Sequence, residues 1–120
     1  MATLVPMSAN AGPVTVEVTI GGILIWHVLY AADDAELSRS GTTGAASTLD
    51  LGEPDKLNRD VNAWHIAFMN PTRASVNFTV GITWKQGNNV IASWPSKPKT
   101  GTLKAGENQV LDDSAFLATV

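Results

Sequence analysis

Two strand-like segments separated by Gly21-Gly22 constrain the fold of this chain more than any other feature. Residues 14–20 alternate strictly between apolar and polar side chains, whereas residues 23–30 are apolar on both faces apart from His27. Two consecutive glycines both tolerate positive φ, which suits the two-residue turn of a tight β-hairpin. The sequence therefore predicts a hairpin in which the two segments pair with each other.

The predicted hairpin fixes which side chains share a face, because directly opposed residues lie on the same side of a sheet. A two-residue turn places Val16 opposite His27 on an otherwise aliphatic face, so His27 is predicted to be a hydrogen-bonded residue of the core. The other face carries polar residues such as Glu17 beside a row of four large apolar side chains: Leu24, Trp26, Val28 and Tyr30. A row of that size is expected to be covered by another segment of the chain, a second subunit or a ligand.

Alternation continues in the second half of the chain. Residues 61–69 place Trp64, Ile66 and Phe68 on one face, and residues 76–85 keep period two over ten residues. Both patterns predict half-buried strands. Shorter strands are predicted at residues 46–51, 90–94, 101–104 and 107–111.

The remaining segments are predicted to be irregular or to lie at sheet edges. Residues 31–46 are expected to form a loop with at most one helical turn, at residues 33–37. Pro95 and Pro98 exclude a central strand between them, since proline cannot donate to a strand ladder. Residues 112–120 are predicted to be a strand or a short helix.

Seven or eight short strands with regularly spaced turns favour an all-β fold, a single antiparallel β-sandwich over residues 1–120, with a closed β-barrel as the alternative. Residues 1–12 are predicted to be an extended N-terminal segment. With 120 residues, of which 44% are hydrophobic, the chain can bury a core without disulfides or metals.

Composition excludes several classes of partner. The net charge is −3 and the eight basic residues are scattered, so no basic stripe is present to bind nucleic acid. The longest apolar run is too short to span a membrane, and the first residues do not resemble a signal peptide. A soluble cytoplasmic protein is the expectation; leaderless export or display on a particle would leave the same pattern.

Catalytic motifs are not recognisable in the sequence. Cysteine is absent, no serine lies in a nucleophile motif, and His27 and His65 lack a metal-binding spacing. The acidic residues at 33–36, 53–55 and 112–113 are predicted to be solvated loop residues. We therefore predict a non-enzymatic protein without a cofactor; a calcium site or a hydrolase built on these carboxylates is the weaker alternative.

Aromatic side chains provide the functional hypothesis. The row of Leu24, Trp26, Val28 and Tyr30, beside Glu17, predicts a module that binds itself or another protein, since large aromatic residues dominate interface energetics. The alternative is a lectin-like protein in which Trp26 or Trp94 stacks on a sugar.

Overall fold

The computed structural model of the chain describes residues 2–120 and is composed almost entirely of strands. In chain order the elements are β1 (Thr3–Met7), β2 (Val14–Gly21), β3 (Ile25–Ala31), β4 (Glu36–Gly41), β5 (Ala45–Gly52), α1 (Pro54–Leu57), β6 (Val61–Met69), β7 (Val76–Gln86), β8 (Asn89–Leu103) and β9 (Asn108–Thr119). Nine strands thus occur within the described residues, against the seven or eight predicted.

The strands form two stacked sheets. One sheet has five strands in the order β1-β9-β6-β3-β4, and the other has four in the order β5-β2-β7-β8. All neighbouring pairs are antiparallel except β1 and β9, which run parallel. Neither sheet closes on itself, so the predicted β-sandwich is confirmed and the barrel alternative is wrong.

The core lies between the two sheets and is built by period-two alternation. In β6, Trp64, Ile66 and Phe68 are buried, as predicted, while the residues between them face outward. In β7, Phe78, Val80, Ile82 and Trp84 are buried in the same way. β7 has one apolar and one more polar face, and β6 has its largest apolar side chains on one face, so burial of these faces determines the orientation of both strands.

The predicted hairpin around Gly21-Gly22 is wrong. β2 pairs with β5 and β7 in the four-stranded sheet, whereas β3 pairs with β4 and β6 in the other sheet. Residues 22–24 therefore cross from one sheet to the other. Gly22 has a φ of 121°, and a Cβ there would lie 2.6 Å from the Asn77 carbonyl oxygen. Glycine is needed because this crossing has a left-handed backbone that passes close to another strand.

The crossing reverses the predicted facing of β3. Leu24, Trp26, Val28 and Tyr30 are at most 5% exposed, so the prediction that they form an outward row is wrong. The four-stranded sheet covers them. His27, predicted to be in the core, is instead exposed. Because β3 is apolar on both sides, its own pattern did not determine which side faces inward.

Three segments predicted to be irregular or ambiguous also form strands. Residues 36–41 form the edge strand β4 where a loop with a helical turn was predicted. Within residues 1–12, β1 joins the edge of the five-stranded sheet and buries Val5 and Met7. The segment after Asp112 continues β9, the strand of the two alternatives.

The proline-containing strand β8 lies at the edge of its sheet, as the prolines require. Its pairing with β7 passes from Ile82–Trp94 to Val80–Lys99, so residues 95–98 bulge out opposite Gly81. The β7–β8 connection is a two-residue loop in which Gly87 has a φ of 58°. A bulged, proline-containing edge resists pairing with further strands.

Candidate binding face

The outward surface of the five-stranded sheet exposes several large apolar side chains beside polar ones such as His65 and Asp112, which is unusual for a sheet surface in contact with water. Its large side chains are each between 37% and 55% exposed: Leu4, Ile25, Val61, Met69, Val110 and Phe116. Leu29, Ala31, Ala63 and Ala67 fill positions between them, as the strand registers show. We call this surface, defined by these ten residues, the apolar face.

Strand register groups the apolar face into two ends, with the polar partners His65 and Asp112 between them. Ile25 lies beside Met69 at one end of the sheet, and Ala67 lies beside Val110. At the other end Phe116 lies between Leu4 and Val61. Scattered exposed apolar residues are normal, but apolar side chains grouped at both ends of one sheet surface, over four neighbouring strands, are typical of a contact surface.

Four of the polar side chains that lie among the residues of the apolar face are hydrogen-bonded in pairs. His65 and Asp112 are Cα partners on β6 and β9, and His65 Nδ1 lies 2.5 Å from Asp112 Oδ1. His27 Nδ1 lies 2.7 Å from the Ser40 hydroxyl oxygen. Because these groups already have hydrogen-bond partners, burying the surface would leave fewer of them without a partner than the presence of two histidines and one carboxylate suggests.

One end of the apolar face is concave. An open groove of about 690 Å³ lies there, with Ile25, His27, Met69 and Val110 among its lining residues. Gly41, on the neighbouring edge strand, and Trp26 also line the groove.

The outward surface of the four-stranded sheet is polar, in contrast. It carries a group of hydroxyl and charged side chains at alternating strand positions: Thr15, Glu17, Thr19, Thr48, Asp50, Thr79, Thr83 and Lys85. Cross-strand partners include Glu17 with Thr48 and Thr83. This surface has the composition expected of a sheet face in water.

The residues predicted from the sequence to form the site do not come together on a surface. Leu24, Trp26, Val28 and Tyr30 belong to the core, and Glu17 lies on the opposite side of the molecule from the apolar face. Trp94 is half-buried: its ring meets Trp64 edge-on at 5.0 Å, and its indole N–H donates to Asp113 Oδ2 at 3.0 Å. A ring held in this way contributes to the packing between the sheets.

The acidic residues considered for calcium or hydrolysis are dispersed over the structure. Asp112 lies in β9 beside His65, and Asp113 accepts the Trp94 hydrogen bond, so neither is a loop residue. Among residues 2–120, no three histidine or acidic side chains are grouped as a metal ion would require. In the same residues, no helix is long and apolar enough to cross a membrane.

Sequence reasoning missed the residues that form the apolar face, although a signal for them was present. The second segment of the expected hairpin is apolar on both faces, so one apolar side must point outward whichever way the strand turns. The outward side holds Ile25 and Leu29, which the hairpin register had assigned to the core.

Comparison with known proteins gives no match to any protein family, curated protein or solved structure.

Proposed function

We propose that the protein is a non-catalytic binding module that acts through the apolar face. The observation that carries the proposal is the contrast between the two outer surfaces of one sandwich. One is a polar, threonine-rich surface, and the other exposes six large apolar side chains in adjacent strands. Exposed apolar area of this extent lowers solubility and is usually retained where a partner covers it.

Charge supports contact with an apolar partner. The outward positions of the described strands in the five-stranded sheet hold no lysine or arginine, and the central carboxylate, Asp112, is paired with His65. The fully buried part of a protein interface is depleted of charged residues in the same way. A phosphate-bearing or strongly acidic partner would find no cation to bind on this face.

The proposal is tested with an environment-sensitive hydrophobic dye and a matched pair of variants. Val110→Lys places a charge at the centre of one end of the apolar face, and Thr48→Lys makes the same charge change on the polar surface of the other sheet. We expect the wild-type face either to bind the dye or to associate with another protein molecule. Thr48→Lys retains that property, and Val110→Lys loses it.

Two results would contradict the proposal. One is a wild-type protein that neither binds the dye nor associates at any accessible concentration. The other is a Val110→Lys variant that keeps the wild-type behaviour while remaining folded by circular dichroism. Both variants replace an exposed residue, so both are expected to fold.

A further inference from the structure

We infer that the partner that covers the apolar face is a second copy of this chain, packed sheet against sheet. The inference rests on the proposed function, since it identifies what the face binds. It rests on the area of the face, on the charge of the face, and on the composition of the edge strands, which disfavours pairing between sheet edges.

The area of the face is close to what a stable dimer needs. The four strands that carry the face, about 4.8 Å apart and roughly 25 Å long, give a surface of about 480 Å² per copy. Two copies would therefore bury on the order of 1,000 Å², about the smallest area of a biological interface. A small ligand in the groove would cover only the end of the face near Ile25 and Val110 and leave Leu4, Val61 and Phe116 exposed.

The charge of the face is compatible with its own copy. Two identical surfaces repel when each carries unpaired charges of one sign, as a lysine-rich or acidic face would. Here the central ionisable groups are bonded within each copy, His65 with Asp112 and His27 with Ser40. Each copy therefore brings one central carboxylate, which already has a hydrogen-bond partner, and no lysine or arginine at the outward positions of the described strands.

The composition of the edge strands also favours a contact through the sheet face over a contact through a sheet edge. Dimers that extend a sheet need an open edge strand, but β1 at one edge of the five-stranded sheet contains Pro6, and Glu36 and Arg39 lie on β4 at the other. Proline and charged residues are the features by which sheet edges resist pairing. Stacking of the flat faces in a two-fold arrangement leaves these edges in solvent.

Analytical ultracentrifugation tests the inference on the full chain. We expect wild type and Thr48→Lys to sediment as dimers at high micromolar concentration. We expect Val110→Lys and a second variant, Leu29→Lys at the centre of the face, to sediment as monomers while keeping the circular dichroism spectrum of the wild type. Dimers that persist in both face variants would overturn the inference, because the contact would then lie elsewhere.

Spin labels locate the contact independently, and the chain has no cysteine of its own to interfere. Ser38→Cys places a label at the rim of the apolar face, and Thr48→Cys places one on the opposite surface. With layers about 10 Å apart, stacking through the apolar face separates the Thr48 labels by three layers, roughly 30 Å or more. The Ser38 labels are then closer together than the Thr48 labels; the reverse order would contradict the inference.

The two proposals fail separately. A wild-type protein that is monomeric but binds the dye, with binding lost in Val110→Lys, would overturn the second-copy inference and retain the apolar face as a site for a different partner. A monomer whose dye binding is absent, or unchanged by Val110→Lys, would overturn both.

Discussion

The hydroxyl of Tyr30 and the indole of Trp84 connect the two sheets across the core. Trp84 Nε1 donates to the Tyr30 hydroxyl oxygen at 2.9 Å, and that hydroxyl in turn donates to Asn62 Oδ1 at 2.6 Å. The Tyr30 ring also stacks on Trp64, with ring centroids 5.8 Å apart and an interplanar angle of 5°. A single phenol therefore satisfies two buried polar groups and joins three aromatic residues.

Removal of this hydroxyl is expected to destabilise the protein. Tyr30→Phe leaves Trp84 Nε1 and Asn62 Oδ1 buried without their partner, which costs about 1–3 kcal/mol in free energy of unfolding. Urea denaturation measures the loss. Thr102→Val, which removes the exposed hydrogen bond to Asn77 Oδ1, is the control and should cost less because water can replace it. Equal losses in the two variants would contradict the role of the buried hydroxyl.

Burial also makes Tyr30 a reporter of unfolding at high pH. Burial raises the pKa of the Tyr30 phenol well above its ordinary value of 10.0, although the hydrogen bond from Trp84 opposes the shift. The folded state thus holds this proton more tightly than the unfolded state, so stability declines as pH rises above about 10. Tyr30 is the only tyrosine, and its phenolate absorbance should appear together with unfolding. Phenolate formation near pH 10 in the folded protein would contradict its burial.

Neighbouring residues of β3 provide a direct test of the observed strand facing. Trp26 is 5% exposed and Ile25 is 45% exposed. Trp26→Ala is expected to cost about 3–5 kcal/mol, the range for large buried aromatic residues, and Ile25→Ala well below that. Thermal or chemical denaturation at one fixed protein concentration measures both. A larger loss for Ile25→Ala would favour the discarded hairpin register.

Gly41 is expected to tolerate no side chain. A Cβ at this position would lie 2.5 Å from the Trp26 ring, which is held by a 2.7 Å hydrogen bond to the Thr43 carbonyl oxygen. Gly41→Ala should therefore destabilise by about 1–3 kcal/mol through overpacking. Gly81→Ala is the matched control in a strand, since its Cβ would meet Pro98 at an ordinary 3.6 Å. Melting temperatures that fall equally in both variants would exclude the clash as the cause.

The acidic residues near the end of the β3–β4 hairpin are expected to make stability depend on pH. Partial burial raises the pKa of the Asp60 carboxyl, and contact with Asp33 and the charge of Asp34 raise it further. The folded state then binds this proton more tightly than the unfolded state, so the wild type loses stability as pH rises through the carboxyl range.

Asp33→Asn relieves this repulsion, so it should stabilise the protein at neutral pH by a few tenths of a kcal/mol and have little effect once the carboxyl groups are protonated. Melting temperatures measured between pH 3 and pH 7 test the expectation, with Asp50→Asn on the other sheet as the control. A gain that persists at the acidic end would contradict the electrostatic explanation.

The sequence was sufficient where a strand has one apolar and one polar side. β7 alternates in this way, so its extent and facing followed from burial of the apolar side; in β6, the larger side chains Trp64, Ile66 and Phe68 indicated the inward side. β4 was missed because it buries a single large apolar residue, Leu37, and an edge strand of this kind has too few inward positions to produce a pattern.

The facing of β3 was harder to predict, and the residues assigned to the candidate site depended on that facing. Its alternation is lost because both sides are apolar, so only the connection to β2 could fix its facing. Two glycines permit a hairpin turn, but they equally permit the crossing between sheets that the structure contains. The choice depends on which strands Val16 and Trp26 pair with, and apart from Gly41 those partners lie more than 30 positions further along the chain.

The parallel pairing of β1 with β9 imposes an order on biogenesis. Thr3 lies beside Ala115 and Met7 beside Thr119, so β1 gains its partner in the sheet only after β9, more than 100 residues further along the chain, has been synthesised. Until then Val5 and Met7 lack the β9 side of their packing, and the five-stranded sheet is completed through a contact of high sequence separation, the kind that forms late in folding.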